Sequence, residues 1–131
     1  MELHKPKNLY ELLTLNMEQR FANRVAFRWY DADQDVVVEK HFGEYAQDIR
    51  RAVNYYLSTI PDIQGKRVCV WSNNSYHYAV NCYGVMMAGG VIVPMNQRKS
   101  WDELPKEAKA YVEFLEKQLG HEIQFVSTGA E

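Results

Sequence analysis

Between Lys66 and Asn96 two short apolar runs, Arg67–Trp71 and Val91–Pro94, flank a stretch of helical periodicity from Ser75 to Ala88. Strands that short and that uniformly apolar are covered on both faces, and a helix between them returns the chain for a parallel pairing. Asn74 or Ser75 caps the start of the helix. Gly89-Gly90 supplies the left-handed backbone that lets the chain leave it. Tyr76, Ala79, Val80, Tyr83 and Met87 fall on one helical stripe, which the spacing aims at the sheet. This βαβ unit makes the fold class α/β: a small three-layer domain with a short, mainly parallel sheet and an N-terminal β-hairpin.

The remaining segments fit around that unit. Asn8 and Glu11 have the spacing of a reciprocal helix cap, and Leu9, Leu12, Leu13 and Met17 mark one face of the helix they open. Val25 to Tyr30 alternates in polarity, and Val36 to Phe42 returns after the polar turn DADQD, which makes a hairpin. Asp31, Asp33 and Asp35 superficially resemble a calcium loop. They lack its central glycine and terminal glutamate, so a solvated turn is expected. Gly43 to Ile60 reads as a helix with Tyr45, Ile49, Ala52, Val53 and Tyr56 inward, and Pro61 stops it. Beyond Asn96, Ser100 and Glu103 have capping-box spacing. Leu104, Ala108, Tyr111, Val112, Leu115 and Leu119 continue a helical stripe to Gly120, and Glu122 to Val126 reads as a last strand.

At 131 residues the chain is long enough for one cored domain, spanning residues 1–131, and too short for two. A formal net charge of −2 gives no reason to expect nucleic acid or an anionic membrane as partner. No apolar run is long enough to span a bilayer, and the opening MELHKPK lacks a signal core, so a cytoplasmic protein is expected. Cys69 and Cys82 lie in the βαβ core without a CxxC spacing, as packed thiols in a reducing compartment do; a disulfide or metal role is the lesser reading. His4, His41, His77 and His121 form no metal-ligand spacing.

From about residue 8 to 96 the chain resembles the N-terminal start of an adenylate-forming, AMP-binding enzyme of the acyl-CoA synthetase type. The stretches that carry this are AFRWYD, VVVEKHFGEYAQDIRRAVNYYL and IQGKRVCVWSNNSYHYAVNCYGVMMAGGVIVPMN. Lys66 departs from the acidic residue usual before the central strand. From about residue 100 to 131, WDELPKEAKAYVEFLEKQLGHEIQFVSTGAE resembles the C-terminal segment of adenylosuccinate synthetase. The first resemblance implies ATP-dependent carboxylate activation and thioester formation, with ATP, magnesium and coenzyme A as the parent family's cofactors. The second implies that Ser127 and Gly129 stand where a loop meets a purine nucleotide.

Neither resemblance brings the part that handles a triphosphate. Such a part is a loop of glycines and hydroxyls with a lysine, whose amides and charge hold the phosphates, and none occurs in this sequence. The chain is therefore expected to be catalytically silent by itself and to carry no cofactor of its own. The alternatives are a non-enzymatic chimeric or designed α/β domain and a purine-nucleotide-binding remnant. Further ligase domains, or a second copy, are the expected partners. Besides Ser127 and Gly129, a possible anion site is Asn74 with Ser75, at the carboxyl end of a strand and the start of a helix. No glycine there lets a phosphate approach the backbone, so capping is the simpler role.

Overall fold

A computed structural model describes residues 5–95, 110, 113–114, 116–117 and 125–127. The chain divides into two compact units, Met1–Arg51 and Ala52–Glu131, with the boundary inside one long helix.

In the first unit Asn8 caps a single α-turn, α1 (Leu9–Glu11), by accepting the Glu11 N–H at 2.8 Å. The Glu11 carboxylate returns to the Lys7 N–H, one residue earlier than a reciprocal cap requires. The helix then widens into a π-helical segment, Leu12–Arg20, closed by the Phe21 N–H on the Asn16 carbonyl five residues back. That wider turn corrects the expected stripe. Leu13 and Met17 are buried, while Leu9 and Leu12 stay half-buried.

The hairpin pairs β1 (Val25–Asp31) with β2 (Val36–His41), antiparallel, with a bulge between Val25 and Phe27. Its turn uses its acids locally. Asp31 Oδ1 accepts the N–H groups of Asp33 and Gln34, and Asp35, in the left-handed region at φ 53°, accepts the Tyr30 hydroxyl. The hairpin ends directly in helix α2 (Phe42–Thr59), where the Glu44 carboxylate reaches back to the His41 N–H at 3.0 Å. That bond, and a second to the His41 ring, hold the Glu44 carboxyl below its ordinary value. On α2 the inward residues are Tyr45, Ala46, Ile49, Ala52 and Tyr56; Val53 is half-buried.

In the second unit β3 (Arg67–Trp71) is central, parallel to β4 (Val91–Met95) on one side and to β5 (Phe125–Ser127) on the other. Val68, Cys69 and Val70 are fully buried, as the unbroken apolar run requires. Helix α3 (Tyr76–Met87) joins β3 to β4 and packs on both. It ends in a Schellman motif: the Gly89 N–H bonds to the Met86 carbonyl and the Gly90 N–H to the Val85 carbonyl, with Gly89 at φ 100°.

The buried face of α3 is not the predicted one. Tyr76 and Val80 are buried as expected, but Ala79, Tyr83 and Met87 are half-buried, and Asn81, Gly84 and Val85 take their place. The helix meets the sheet and also the end of α2, so its inward face is wider and rotated. Tyr56 donates its hydroxyl to Asn81 Oδ1 at 2.8 Å, and a Cβ on Gly84 would lie 2.7 Å from that of Ala52. The stripe expected between Leu104 and Leu119, the Ser100 cap and Gly120 lie mostly outside the described residues; Ala110, Glu113, Phe114, Glu116 and Lys117 are helical.

Candidate functional site

All three parallel strands deliver their carboxyl ends to one edge. In register, Trp71 of β3 faces Met95 of β4, and Val70 faces Ser127 of β5. The chain leaves β3 through Ser72, Asn73, Asn74 and Ser75 into α3 and β4, whereas β5 lies on the opposite flank of β3. In open α/β sheets the carboxyl edge, where neighbouring strands lead away to opposite flanks, is where ligands are taken.

Of the candidate residues, Asn74, Ser75 and Ser127 lie at that edge. Ser75 is the N-cap of α3: its Oγ accepts the Tyr78 N–H at 3.1 Å, and its carbonyl accepts the Ala79 N–H at 3.2 Å. Asn74 is exposed beside it, and Ser72 Oγ bonds to the Asn73 carbonyl. Ser127 closes β5 one register step behind Trp71, while Gly129 lies outside the described residues. Asn74 and Ser75 thus share one edge of the sheet with Ser127, about fifty residues later in the sequence. His77 is exposed in the first turn of α3, edge-on to Tyr76 at 5.6 Å. Its carbonyl, rather than its ring, serves the core by accepting Asn81 Nδ2 at 2.8 Å.

Behind that edge, β3 and α3 hold a set of titratable groups that spacing alone did not assemble. Burial pushes the Cys69 thiol up to about 12. Burial also pushes the Tyr78 hydroxyl up to about 12, with the neighbouring thiols of Cys82 and Cys69 adding to it. Cys82 and Tyr83 are raised by burial as well, and the hydrogen bond from Tyr78 partly offsets the effect at Cys82. Both cysteines are free. Thiols held protonated are poor nucleophiles, so neither is expected to label with a disulfide reagent at neutral pH while the chain is folded.

Stability should also fall with alkali. Above the ordinary thiol value of 9.0 the unfolded chain loses a proton that folded Cys69 keeps until about pH 12. The folded state then binds more protons, and unfolding becomes easier as pH rises through that window. Denaturant titrations across it would show the slope, and Cys69→Val should flatten it; an unchanged slope in that variant would exclude Cys69 as its source.

The match to known families is decided over this same region. The adenylosuccinate synthetase family model matches residues 62–131, from just before β3 onward. The chain belongs to the adenylosuccinate synthetase family. The matched stretch takes in the β3–α3–β4 unit as well as the tail after Ser100. Within the family, the synthetase of Hydrogenovibrio crunogenus is 53% identical over 32 residues, which is 24% of this chain and 7% of that protein.

In fold, the chain is like adenylate-forming ligases. It superposes on Klebsiella oxytoca NpsA in complex with 3-hydroxyanthranilyl-AMSN with a TM-score of 0.63 at 20% identity, covering 89% of this chain and 21% of that one. The fatty acid AMP ligase of Legionella pneumophila gives 0.63 at 14% identity, over 83% of this chain and 18% of that one. The N-terminal domain of FACL13 from Mycobacterium tuberculosis gives 0.58 at 22% identity, over 92% and 26%. Both resemblances read from the sequence are therefore present: family membership from residue 62, and a ligase-like fold along most of the chain. The chain spans 7% of the synthetase and about a fifth to a quarter of the ligases it matches.

Proposed function

We propose that this chain is a scaffold portion of an adenylate-forming ligase, one that holds a sheet edge in place for chemistry completed by other ligase segments. The likeness to adenylate-forming ligases over most of the chain carries this reading. The parent reaction, adenylation of a carboxylate by ATP and transfer to coenzyme A, requires amides and a lysine around the phosphates. The 131 residues contain no loop of that composition. The free thiols suit a reducing cytoplasm, and no helix among the described residues is long and apolar enough to cross a membrane. Incubated with ATP, magnesium and a fatty acid, the isolated chain should release no pyrophosphate above the uncatalysed rate. Sustained release would overturn the reading.

The shared edge of Ser127 and Ser72–Ser75 favours one second reading, a purine-nucleotide remnant at the carboxyl edge that would use Ser127 and Gly129 together with Asn74 and Ser75. Calorimetric titration with GTP and ATP would then give saturable heat that Ser127→Ala diminishes. Silence at millimolar nucleotide would reject it.

A further inference from the structure

The first unit holds a charge cluster that the scaffold reading does not use. At the end of the π-helical segment the Arg20 guanidinium carbon lies 5.3 Å from the centroid of the Phe21 ring, and that of Arg24 lies 5.1 Å from the same centroid. Both cations thus lie close to one aromatic ring. Their separation cannot exceed those two distances laid end to end.

The backbone beneath them is fixed. The Phe21 N–H bonds to the Asn16 carbonyl at 2.8 Å, the Arg24 N–H to the Phe21 carbonyl at 2.9 Å, and the Arg24 carbonyl takes the Phe42 N–H at 2.9 Å. Arg28, Arg50 and Arg51 each have a carboxylate partner, in Glu39, Glu18 and Asp48. Among the described residues no carboxylate pairs with Arg20 or Arg24, and the nearest acid in sequence, Glu18, is committed to Arg50 at 2.6 Å.

A cation at the end of a helix complements its dipole, and stacking on a ring is favourable in itself, so one such arginine needs no ligand. Two guanidiniums on one ring repel each other, and among the described residues neither planar fork of donors meets a carboxylate. That fork matches the oxygens of a phosphate two at a time, and a multiply charged anion between the pair relieves the repulsion. We propose that Arg20 and Arg24, splayed over Phe21, form a binding site for a terminal phosphate or pyrophosphate group. The ring fixes both side chains before binding, which lowers the ordering cost.

Inorganic pyrophosphate titrated calorimetrically into the full chain at low salt is the direct probe. Saturable binding is expected, and R20Q/R24Q should weaken it by about tenfold or more, as loss of two charge-assisted contacts requires. R51Q, which removes an exposed charge elsewhere, should leave it unchanged, and R20K/R24K should keep only part of it because an ammonium lacks the fork. If the arginines only stabilise the helix end, R20Q/R24Q lowers the melting temperature while the wild-type chain binds no pyrophosphate, and the proposal fails. Equal loss in R51Q would also overturn it, since general charge would then suffice. Vesicles containing phosphatidic acid supply the lipid-borne form of the same group; binding to them without binding of free pyrophosphate would refute the free-anion site. S127A tests the carboxyl-edge reading separately, because it should leave pyrophosphate binding at Arg20 and Arg24 intact.

Discussion

Gly84→Val is expected to lower the melting temperature of this chain by more than 10 °C, on the order of 3 kcal/mol at roughly 4 °C per kcal/mol. Glycine in a helix interior ordinarily costs stability, so its presence in the third turn of α3 calls for a reason. The reason is Ala52: a Cβ at position 84 would stand 2.7 Å from the Ala52 Cβ and 3.4 Å from its backbone carbonyl carbon. Real carbon atoms do not approach so closely, and the obstacle is a short side chain on a rigid helix that cannot rotate aside. Gly84→Ala should be milder, since the helix-forming gain of alanine offsets part of the clash. Opening the other side should rescue it: Ala52→Gly with Gly84→Ala is expected to recover most of the loss. Thermal melts of the three variants check this, and a Gly84→Val chain that melts like the parent would show that α2 and α3 do not approach each other there.

Tyr56→Ala is expected to cost about 4 kcal/mol, the usual toll for a large buried aromatic cut back to a methyl. Tyr56 is fully buried and its hydroxyl is bonded to Asn81, which is itself only 2% exposed. Tyr56→Phe separates the two contributions. It keeps the ring and strips the donor from Asn81 Oδ1, for a cost of about 1–3 kcal/mol that reflects an unmet buried acceptor. Replacing both partners should cost less than the two single changes together, because Asn81→Leu removes the acceptor that Tyr56→Phe abandons. Denaturant midpoints for the two singles and the double measure that coupling. Strict additivity would mean that the bond contributes nothing specific to the core.

How far the fold was legible depended on how many neighbours each element has. The strand Arg67–Trp71 and the cap at Ser75 lie where the residues place them, because a buried parallel strand needs an unbroken apolar run and a helix start needs an acceptor. Helix α2 shows the expected inward Tyr45, Ile49, Ala52 and Tyr56. Helix α3 does not follow so simple a rule. A stripe computed for a single neighbour assigned Tyr83 and Met87 inward, whereas the second helix selects Gly84 for room and Asn81 for a hydrogen bond. Only a buried asparagine and a mid-helix glycine three residues apart hinted at that second surface. The widening of the first helix to i+5 bonding left no trace in the spacing of Leu13 and Met17, since α-helical geometry would also place these on one face. At the carboxyl edge, Asn74 and Ser75 could be singled out from local pattern, but their nearness to Ser127 depends on β5 choosing the free flank of β3, which no local pattern records.

That choice of flank has a consequence for how the chain acquires its structure. The middle strand of the sheet is complete only when a segment more than fifty residues later arrives, and the loop closed by that pairing is the longest of any strand pair described here. Closing a long loop is entropically costly and slow relative to the hairpin and the βαβ unit. During synthesis, one margin of β3 therefore waits with its amides and carbonyls unmet after everything up to β4 has left the ribosome. An interval of that kind exposes a strand whose Val68, Cys69 and Val70 are fully buried in the folded chain to pairing with a stranger, which makes crowding of nascent copies, rather than heat, the hazard this topology has to survive.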